Sequence, residues 1–329
     1  MERFPAGLRR PLYALVKCKN NLKSWLSHTW LDLLFTILIL AAMGALYMCS
    51  PVYRYENLIF PMRKDPYSGK WHAPMEISWP ARPFIVSVST VTTIAPLVGA
   101  GVIVGMYLWA ICTPTRKLLD VYQLEAARRD PWNMSAALFG LFQGFGIVTF
   151  IQVIFKSFVG ELRPYFMSLC NPKNIDFTPL GANPWIRFPK ITSCPGWNPS
   201  CIPRSFLRES RQCRDWNFAV QSFPSGHTAE AFFVGVYLAL YLNAKLNAFS
   251  DYSTSLGKVL LILSPVLGAA LVGMSVAMDF HHHTHDVIWS IPIGVITALI
   301  AYRAHFASLW DYRYNHLRVR WTEIDEGGV

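Results

Sequence analysis

The sequence predicts an all-α integral membrane protein, a bundle of six transmembrane helices with one folded loop on the lumenal or extracellular side. Of its 329 residues, 53% are hydrophobic and only 15% are charged, whereas about 25% are charged in a typical soluble domain. The apolar residues form runs of roughly 18 to 30, and a helix needs about 20 to cross a bilayer. These observations exclude an ordinary cytosolic enzyme, a secreted disulfide-rich mini-protein and a disordered chain.

Six apolar runs predict the six membrane helices. They are Leu31–Met48, Phe84–Ile111, Ser135–Phe158, Thr228–Leu242, Gly257–Met278 and Val287–Phe306. The fourth run is short and contains Glu230, so we expect protein neighbours around it, because a carboxylate inside a bilayer normally faces other protein groups. The predicted organisation is a cytosolic segment 1–30, a membrane domain 31–306 with a cap loop 159–227, and a cytosolic tail 307–329.

The distribution of Lys and Arg predicts which loops face the cytosol. Short loops rich in these residues usually stay cytosolic, and the N-terminus, the 113–134 loop and the C-terminal tail carry clusters of them. The loops 49–83, 159–227 and 279–286 then lie on the lumenal or extracellular side. The expected location is an endomembrane (endoplasmic reticulum, Golgi or vacuole) or the plasma membrane. The net charge of +10 is attributed to loops that flank lipid headgroups, so the bilayer is the expected partner and nucleic acid is not.

Four cysteines predict a covalently stabilised cap. Cys170, Cys194, Cys201 and Cys213 all lie in the 159–227 loop, on the side that we expect to be oxidising. One or two disulfides are expected, and four cysteines allow three connectivities. A zinc site is the weaker alternative, because no pair has the CxxC spacing.

The first of three polar motifs ends the third predicted helix and contains Lys156, Arg163 and Pro164. Lys156 and Arg163 are seven residues apart, so they share a face if the helix continues, and Pro164 then breaks it. Two cations on one face at a membrane edge suit an oxyanion such as phosphate. The alternative is that both side chains only extend towards lipid headgroups.

The second motif, Pro224-Ser225-Gly226-His227, opens the fourth predicted helix. Ser225 is a good N-cap, Gly226 lets the backbone approach a ligand, and the first N–H groups of a helix bind anions. His227 would lie beside such an anion, where a general acid is useful. The alternative is a simple helix cap followed by a chance histidine.

The third motif joins the fifth and sixth predicted helices and contains four histidines and two aspartates within residues 279–286. His282 and Asp286 are four residues apart, so on a helix the carboxylate can hold one imidazole nitrogen and leave the other free as a nucleophile. The alternative is a metal site, because histidine and aspartate are good ligands for zinc or iron.

Alternating spans place all three motifs on the same non-cytosolic face. Together they offer two cations, a helix N-terminus, a histidine that can act as a general acid and a histidine supported by an aspartate. These are the groups that phosphoryl transfer through a phosphohistidine needs without a metal.

The ordered motifs Lys-x6-Arg-Pro, Pro-Ser-Gly-His and Ser-x6-His-x3-Asp closely resemble the type 2 phosphatidic acid phosphatase superfamily. The resemblance extends from Lys156 to Asp286, and the six-helix layout carries it over most of the chain. It implies a membrane phosphatase for phosphatidate, diacylglycerol pyrophosphate or related lipid phosphates, with no metal and no cofactor. The residues that it assigns are the phosphate ligands Lys156, Arg163, Ser225 and Gly226, the acid His227, the nucleophile His282 and its orienting partner Asp286.

One position departs from the family pattern. The family usually has Arg after the serine of the third motif, as a further phosphate ligand, and this chain has Val276. The departure leaves two alternatives, a lipid phosphotransferase similar to the sphingolipid synthases and a catalytically weakened lipid-phosphate-binding protein. Arginines in the cap loop could supply the missing charge; they are Arg204, Arg208, Arg211 and Arg214. The oligomeric state, monomer or homo-oligomer, is left open.

Overall fold

The computed structural model describes residues 30–45 (except 32, 40 and 44), 59–112, 131–170, 185–190, 194, 215–216, 218–251 and 253–319. Within these ranges, five helices are long and apolar enough to cross a membrane. They are α1 (Ala95–Cys112, preceded by a π-helical turn Thr90–Ile94), α2 (Pro131–Val159), α4 (Gly226–Leu246), α5 (Leu256–Met278) and α6 (Thr284–His305). A short helix, α3 (Phe166–Cys170), follows α2. Five of the six predicted spans are therefore confirmed as long apolar helices.

The first predicted span is only partly described. An apolar helix covers Leu33–Met43, which is shorter than a bilayer crossing, and the end of the predicted run lies outside the described residues. Residues 43–319 form one compact unit, and the residues before them belong to another. The sixth span therefore stays a prediction.

Helix α4 is the central helix of the bundle. In its most apolar stretch of 18 residues, 78% of the residues are buried, whereas 22–33% are buried in the corresponding stretches of the other four candidate spans. This confirms the expectation that the helix carrying Glu230 needs protein neighbours, although the helix is not short as predicted but has 21 residues, Gly226–Leu246. The Glu230 carboxylate accepts hydrogen bonds from Thr149 Oγ1 (3.1 Å) and from the Gln152 amide, both on α2.

Small residues allow the helices to approach closely, as is common in membrane bundles. A side chain at Gly235 would meet the backbone of Pro265 on α5, and one at Gly294 of α6 would meet the backbone of Ala229 on α4. The outward faces of α5 and α6 are instead apolar; their exposed side chains include Leu260, Leu267, Leu271, Ile296 and Ile300. An exposed apolar surface of this kind is the arrangement expected in lipid.

The start of α1 differs from the prediction. The predicted span began at Phe84, but residues 84–86 are not helical. The Ile85 N–H donates to Asp279 Oδ2 (3.1 Å) instead of to a helical acceptor. A long-range contact to the α5–α6 connection therefore overrides the local apolar pattern.

The described residues on the cap side contain β-structure that was not predicted. A three-stranded antiparallel sheet has the order β2–β1–β3, with β1 (Met62–Lys64), β2 (Trp71–His72) and β3 (Ile186–Arg187). The fold is thus mostly helical rather than all-α. Two of the strands come from the 49–83 loop, for which no secondary structure was predicted.

A separate hydrophobic core lies within the cap. Its largest buried side chains are Phe60, Phe166 and Trp216. A disulfide joins Cys170 to Cys194 with a Cα–Cα distance of 4.8 Å. The predicted disulfide is confirmed for this pair, and Cys201 and Cys213 lie outside the described residues.

The residues after α6 fold back onto the bundle. The Asn133 amide donates to the His316 carbonyl (2.6 Å), and the Tyr302 hydroxyl donates to the Asn315 carbonyl (2.9 Å). Residues 307–319 thus belong to the same compact unit as the helices. The division into cytosolic and membrane segments remains a prediction.

Candidate active site

The three motifs meet at one end of the bundle. The Arg163 N–H donates to the Ala219 carbonyl (2.8 Å), which ties the first motif to the segment before the second. Ser222 Oγ donates to Asp286 Oδ2 (2.5 Å), which ties that segment to the third motif. The His283 imidazole donates from Nε2 to the Leu162 carbonyl (2.9 Å) and links the third motif to the first. The predicted meeting of the three motifs is confirmed, and their position on the non-cytosolic side stays a prediction.

His282 and Asp286 face each other, but not through helical spacing as predicted. Helix α6 begins at Thr284 with His283 as its N-cap, so His282 precedes the helix. The N–H groups of His281 and His282 both donate to the Val276 carbonyl (3.1 Å each), and this turn directs His282 towards Asp286. His282 Nδ1 lies 3.5 Å from Asp286 Oδ2. The Nε2 atom on the far side of the imidazole has no hydrogen-bond partner among the described residues.

Asp286 is held by groups other than its histidine. It is fully buried, and its Oδ2 atom accepts from Ser222 Oγ and from the backbone N–H of His283 (2.9 Å). The second bond is part of a capping box at the start of α6. Ser222 was not predicted, because no periodicity or spacing links it to a residue 64 positions away.

The surroundings of His282 favour its neutral form. Burial lowers the pKa of His282 well below its ordinary value, and the positive charges of Arg163 and Lys156 lower it further. The negative charge of Asp286 opposes this shift. A neutral imidazole can act as a nucleophile without first losing a proton.

The two cations of the first motif lie beside this histidine, although they do not share a helix face. Helix α2 ends at Val159, and Gly160 follows with a positive φ of 59°, a common helix end. Arg163 therefore reaches the site from the turn after the helix. Lys156 donates from Nζ to the Gln221 carbonyl (3.0 Å). Arg163 is 4% exposed, and its Nε and Nη1 atoms have no acceptor among the described residues.

The second motif begins α4 as predicted. Ser225 is the N-cap, and its Oγ accepts from the Thr228 N–H (3.4 Å) and from the Thr228 hydroxyl (3.0 Å). Gly226 also lies close to α2, and a side chain there would displace the Gln152 amide. The His227 side chain is buried, with an unpartnered Nε2.

Phe84 packs against two of the histidines. Its ring stacks on His227 (centroids 5.3 Å apart) and on His281 (3.5 Å). This contact was not predicted, because Phe84 was assigned to a membrane helix. It fixes the imidazole plane of His227 and covers it with an apolar group.

The histidines of the third motif have separate partners. His281 Nδ1 donates to Asp279 Oδ1 (2.9 Å), and His283 bonds to Leu162. His285 Nε2 donates to Glu161 Oε1 (2.8 Å) and lies 3.4 Å from Asp286 Oδ1. The described ligand atoms that could hold one metal ion are those of Glu161, His285 and Asp286. The four histidines therefore do not converge on one centre.

Val276 is as buried as the residues of the candidate site. Its side chain is fully buried in the last turns of α5, and its carbonyl positions the histidine turn. The loop arginines that could replace the missing charge, residues 204, 208, 211 and 214, lie outside the described residues.

Buried polar atoms without a hydrogen-bond partner concentrate at this site. Among the described residues they include atoms of Arg163, His227, His282 and Asp286. Buried polar groups are normally paired. Two guanidinium donors, two histidines and the start of α4 therefore lie together at this end of the bundle, and such groups suit a tetrahedral oxyanion.

Comparisons with known proteins identify the family. A family model described as PAP2 superfamily matches residues 137–310, more than half of the chain. A PA-phosphatase related-family protein of Dictyostelium discoideum is 30% identical over 58% of this chain and 53% of its own length. Lipid phosphate phosphatase 2 of Arabidopsis thaliana is 29% identical over 60% of this chain and 68% of its own. Diacylglycerol pyrophosphate phosphatase 1 of Saccharomyces cerevisiae is 27% identical over 63% of this chain and 64% of its own length.

The chain spans about half the length of two matched Dictyostelium relatives, 53% and 48%. No solved structure matches it. The matched family region contains all three motifs, and on this ground the chain belongs to the PAP2 superfamily.

Proposed function

We propose that the protein is an integral membrane lipid phosphate phosphatase. It hydrolyses phosphatidate, diacylglycerol pyrophosphate or a related lipid phosphate through a phosphohistidine intermediate and needs no metal. The observation that carries the proposal is the group of buried, unpartnered donors on Arg163 beside the unpartnered Nε2 of His282. Burying such groups without a ligand is unfavourable, and a phosphate would satisfy them.

The phosphate is bound by charge and by oriented N–H groups. Arg163 donates from Nε and Nη1, and Lys156 adds a second positive charge. The Ser225 hydroxyl and the first N–H groups of α4, which have no intrahelical acceptor, donate to the remaining oxygens. Charge-assisted hydrogen bonds of this kind strengthen as negative charge builds up in the transition state.

The chemistry proceeds in two displacements. His282 Nε2 attacks phosphorus while Asp286 stabilises the developing imidazolium at Nδ1. The P–O bond to the lipid breaks, and His227 gives its proton to the leaving oxygen. Water then attacks the phosphohistidine, His227 takes the proton from this water, and the P–N bond breaks to release phosphate.

The membrane supplies the substrate. We propose that the run Leu31–Met48 forms a sixth span and that the site lies at the lumenal or extracellular edge. The acyl chains then approach laterally between the apolar outer faces of the helices. The headgroup reaches the site between the helix ends and the cap.

The test is phosphate release by the purified full-length protein from a panel of lipid phosphates, with EDTA present. The proposal predicts release from at least one lipid, inhibition by vanadate, which mimics the transition state, and loss of release in His282→Ala and His227→Ala. A new phospholipid instead of free phosphate would favour the phosphotransferase. Saturable binding without turnover would favour the weakened binding protein suggested by Val276, and strict dependence on magnesium would contradict the mechanism.

A further inference from the structure

A cluster of potential ligand atoms lies beside the proposed catalytic centre, and two of its three residues have no part in the proposed reaction. Glu161, from the turn after α2, and His285, from the first turn of α6, meet through a 2.8 Å contact between Oε1 and Nε2. Asp286 Oδ1 lies 3.4 Å from the same nitrogen. One ligand atom of each residue lies within 4.8 Å of the other two.

One of the two oxygens of the Asp286 carboxylate has no hydrogen-bond partner among the described residues. Its Oδ2 atom is occupied by Ser222 and by the His283 N–H. Its Oδ1 atom is buried and has no hydrogen-bond partner among the described residues. The nearest donor, His285 Nε2, has only one proton, which it gives to Glu161 at the shorter distance. An unpaired carboxylate oxygen thus points into the space between Glu161 and His285.

The spacing of these atoms suits a transition-metal ion. Zinc binds histidine nitrogen and carboxylate oxygen at about 2.0–2.2 Å, so its ligands lie about 3.4 Å from one another in a tetrahedron. Three protein ligands leave a fourth position for water. A divalent ion would also neutralise two carboxylates held close together, which repel each other when both are ionised.

The site is open to solvent on one side. The His285 side chain is 54% exposed and that of Glu161 is 29% exposed, whereas Asp286 is fully buried. An ion can therefore enter and leave from water while its third ligand belongs to the catalytic pair. Asp286 is the residue that connects the two sites.

We propose that Glu161, His285 and Asp286 form an inhibitory site for a divalent transition-metal ion of the zinc type. The ion withdraws negative charge from Asp286, which then stabilises the imidazolium of His282 less well. The ion also stands beside the space that the phosphate must occupy. The binding part of this proposal is independent of the reaction, and the inhibition part rests on the proposed phosphatase function.

Binding is tested with zinc on the purified, tag-free full-length protein in detergent, by calorimetric titration. Cobalt(II) serves as a spectroscopic substitute, because its visible absorption reports coordination. We expect one saturable site in the wild type that is lost in His285→Ala and in Glu161→Gln. His72, an exposed histidine on β2, provides the matched control, and His72→Ala should keep the site. Unaltered binding in both ligand variants, or no saturable binding in the wild type, would overturn the proposal.

Inhibition is tested on phosphate release. Zinc should inhibit the wild type and EDTA should restore activity, whereas His285→Ala should need at least tenfold more zinc for the same inhibition. Equal zinc sensitivity of His285→Ala and the wild type would overturn the inhibitory role. If the wild type binds zinc at these residues but releases no phosphate from any lipid, the metal site stands and the proposed phosphatase function fails.

Discussion

The Ser222 hydroxyl donates a 2.5 Å hydrogen bond to Asp286 Oδ2, the same oxygen that faces His282 Nδ1 at 3.5 Å. Ser222 lies three residues before the N-cap Ser225. The segment that carries the helix N-terminus therefore also orients the carboxylate that supports the proposed nucleophile. Ser222 therefore links the position of the α4 N-terminus, which we propose binds the phosphate, to the position of His282.

Ser222→Ala should lower kcat by about ten- to a hundredfold, because a hydrogen bond to a charged group contributes roughly 1.5–3 kcal/mol. The KM should change little, since Ser222 does not contact the substrate. Ser290→Ala is the matched control, because this buried hydroxyl donates to the Asp286 backbone carbonyl (2.6 Å) rather than to its carboxylate. Steady-state kinetics giving equal losses in the two variants would show that the hydroxyl acts only on stability.

Acidification should not inactivate His282 near pH 6.5. Its pKa is lowered by burial and by the charge of Arg163, so the neutral form persists as the pH falls through 6.5 and is lost only at lower pH. Arg163→Gln removes that charge and should move the acidic limb of kcat/KM upwards, whereas Arg163→Lys keeps the charge and should move it less. Ionisation of the substrate phosphate, near pH 6, is common to both profiles. If the acidic limbs of kcat/KM coincide in Arg163→Gln and Arg163→Lys, the charge of Arg163 does not lower the pKa of His282.

Val276→Arg should lower the thermal stability and give no gain in activity. The family places a phosphate ligand at this position, but the Val276 side chain is fully buried. Overpacking costs about 1–3 kcal/mol, and an unpaired buried charge adds to this. Val276→Ile adds one methylene group without charge and serves as the comparison in thermal denaturation. A well-folded Val276→Arg protein with higher kcat/KM would show that the site has room for the guanidinium.

Loss of the disulfide should destabilise the cap. Cys170 and Cys194 are separated by 24 residues, and closing a loop of this size stabilises by about 3 kcal/mol. We expect Cys170→Ser to lower the Tm by several degrees and Cys112→Ser, which removes an exposed free cysteine, to leave it unchanged. Peptide mapping without reduction should recover the Cys170–Cys194 pair, and free thiols at both positions would refute it together with the predicted oxidising side.

Much of this architecture follows from the sequence. Hydropathy predicts the five described spans, and alternation of spans predicts that the three motifs converge. The internal geometry of the motifs does not follow, because it depends on where each helix ends. Gly160 ends α2 before Arg163, and His283 caps α6 after His282, so neither predicted helical spacing exists.

The contacts missed by sequence analysis join distant segments. Ile85 binds Asp279 across 194 residues, and His285 binds Glu161 across 124. The cap sheet pairs strands of two or three residues from two different loops. Segments this short show no detectable alternation of polar and apolar residues. Only the tertiary structure brings them together.

The central claim is that His282 receives the phosphoryl group. It is tested most directly by rapid quenching of the wild-type protein with phosphatidate, or with the panel lipid that turns over fastest, labelled with 32P in its phosphate and with EDTA present. The quenched protein is then digested and its labelled peptide is sequenced. We expect an acid-labile, alkali-stable label on His282, absent from His282→Ala and retained in the neighbouring control His281→Ala. Label on another residue, or phosphate release with no covalent label at any time, would contradict the account.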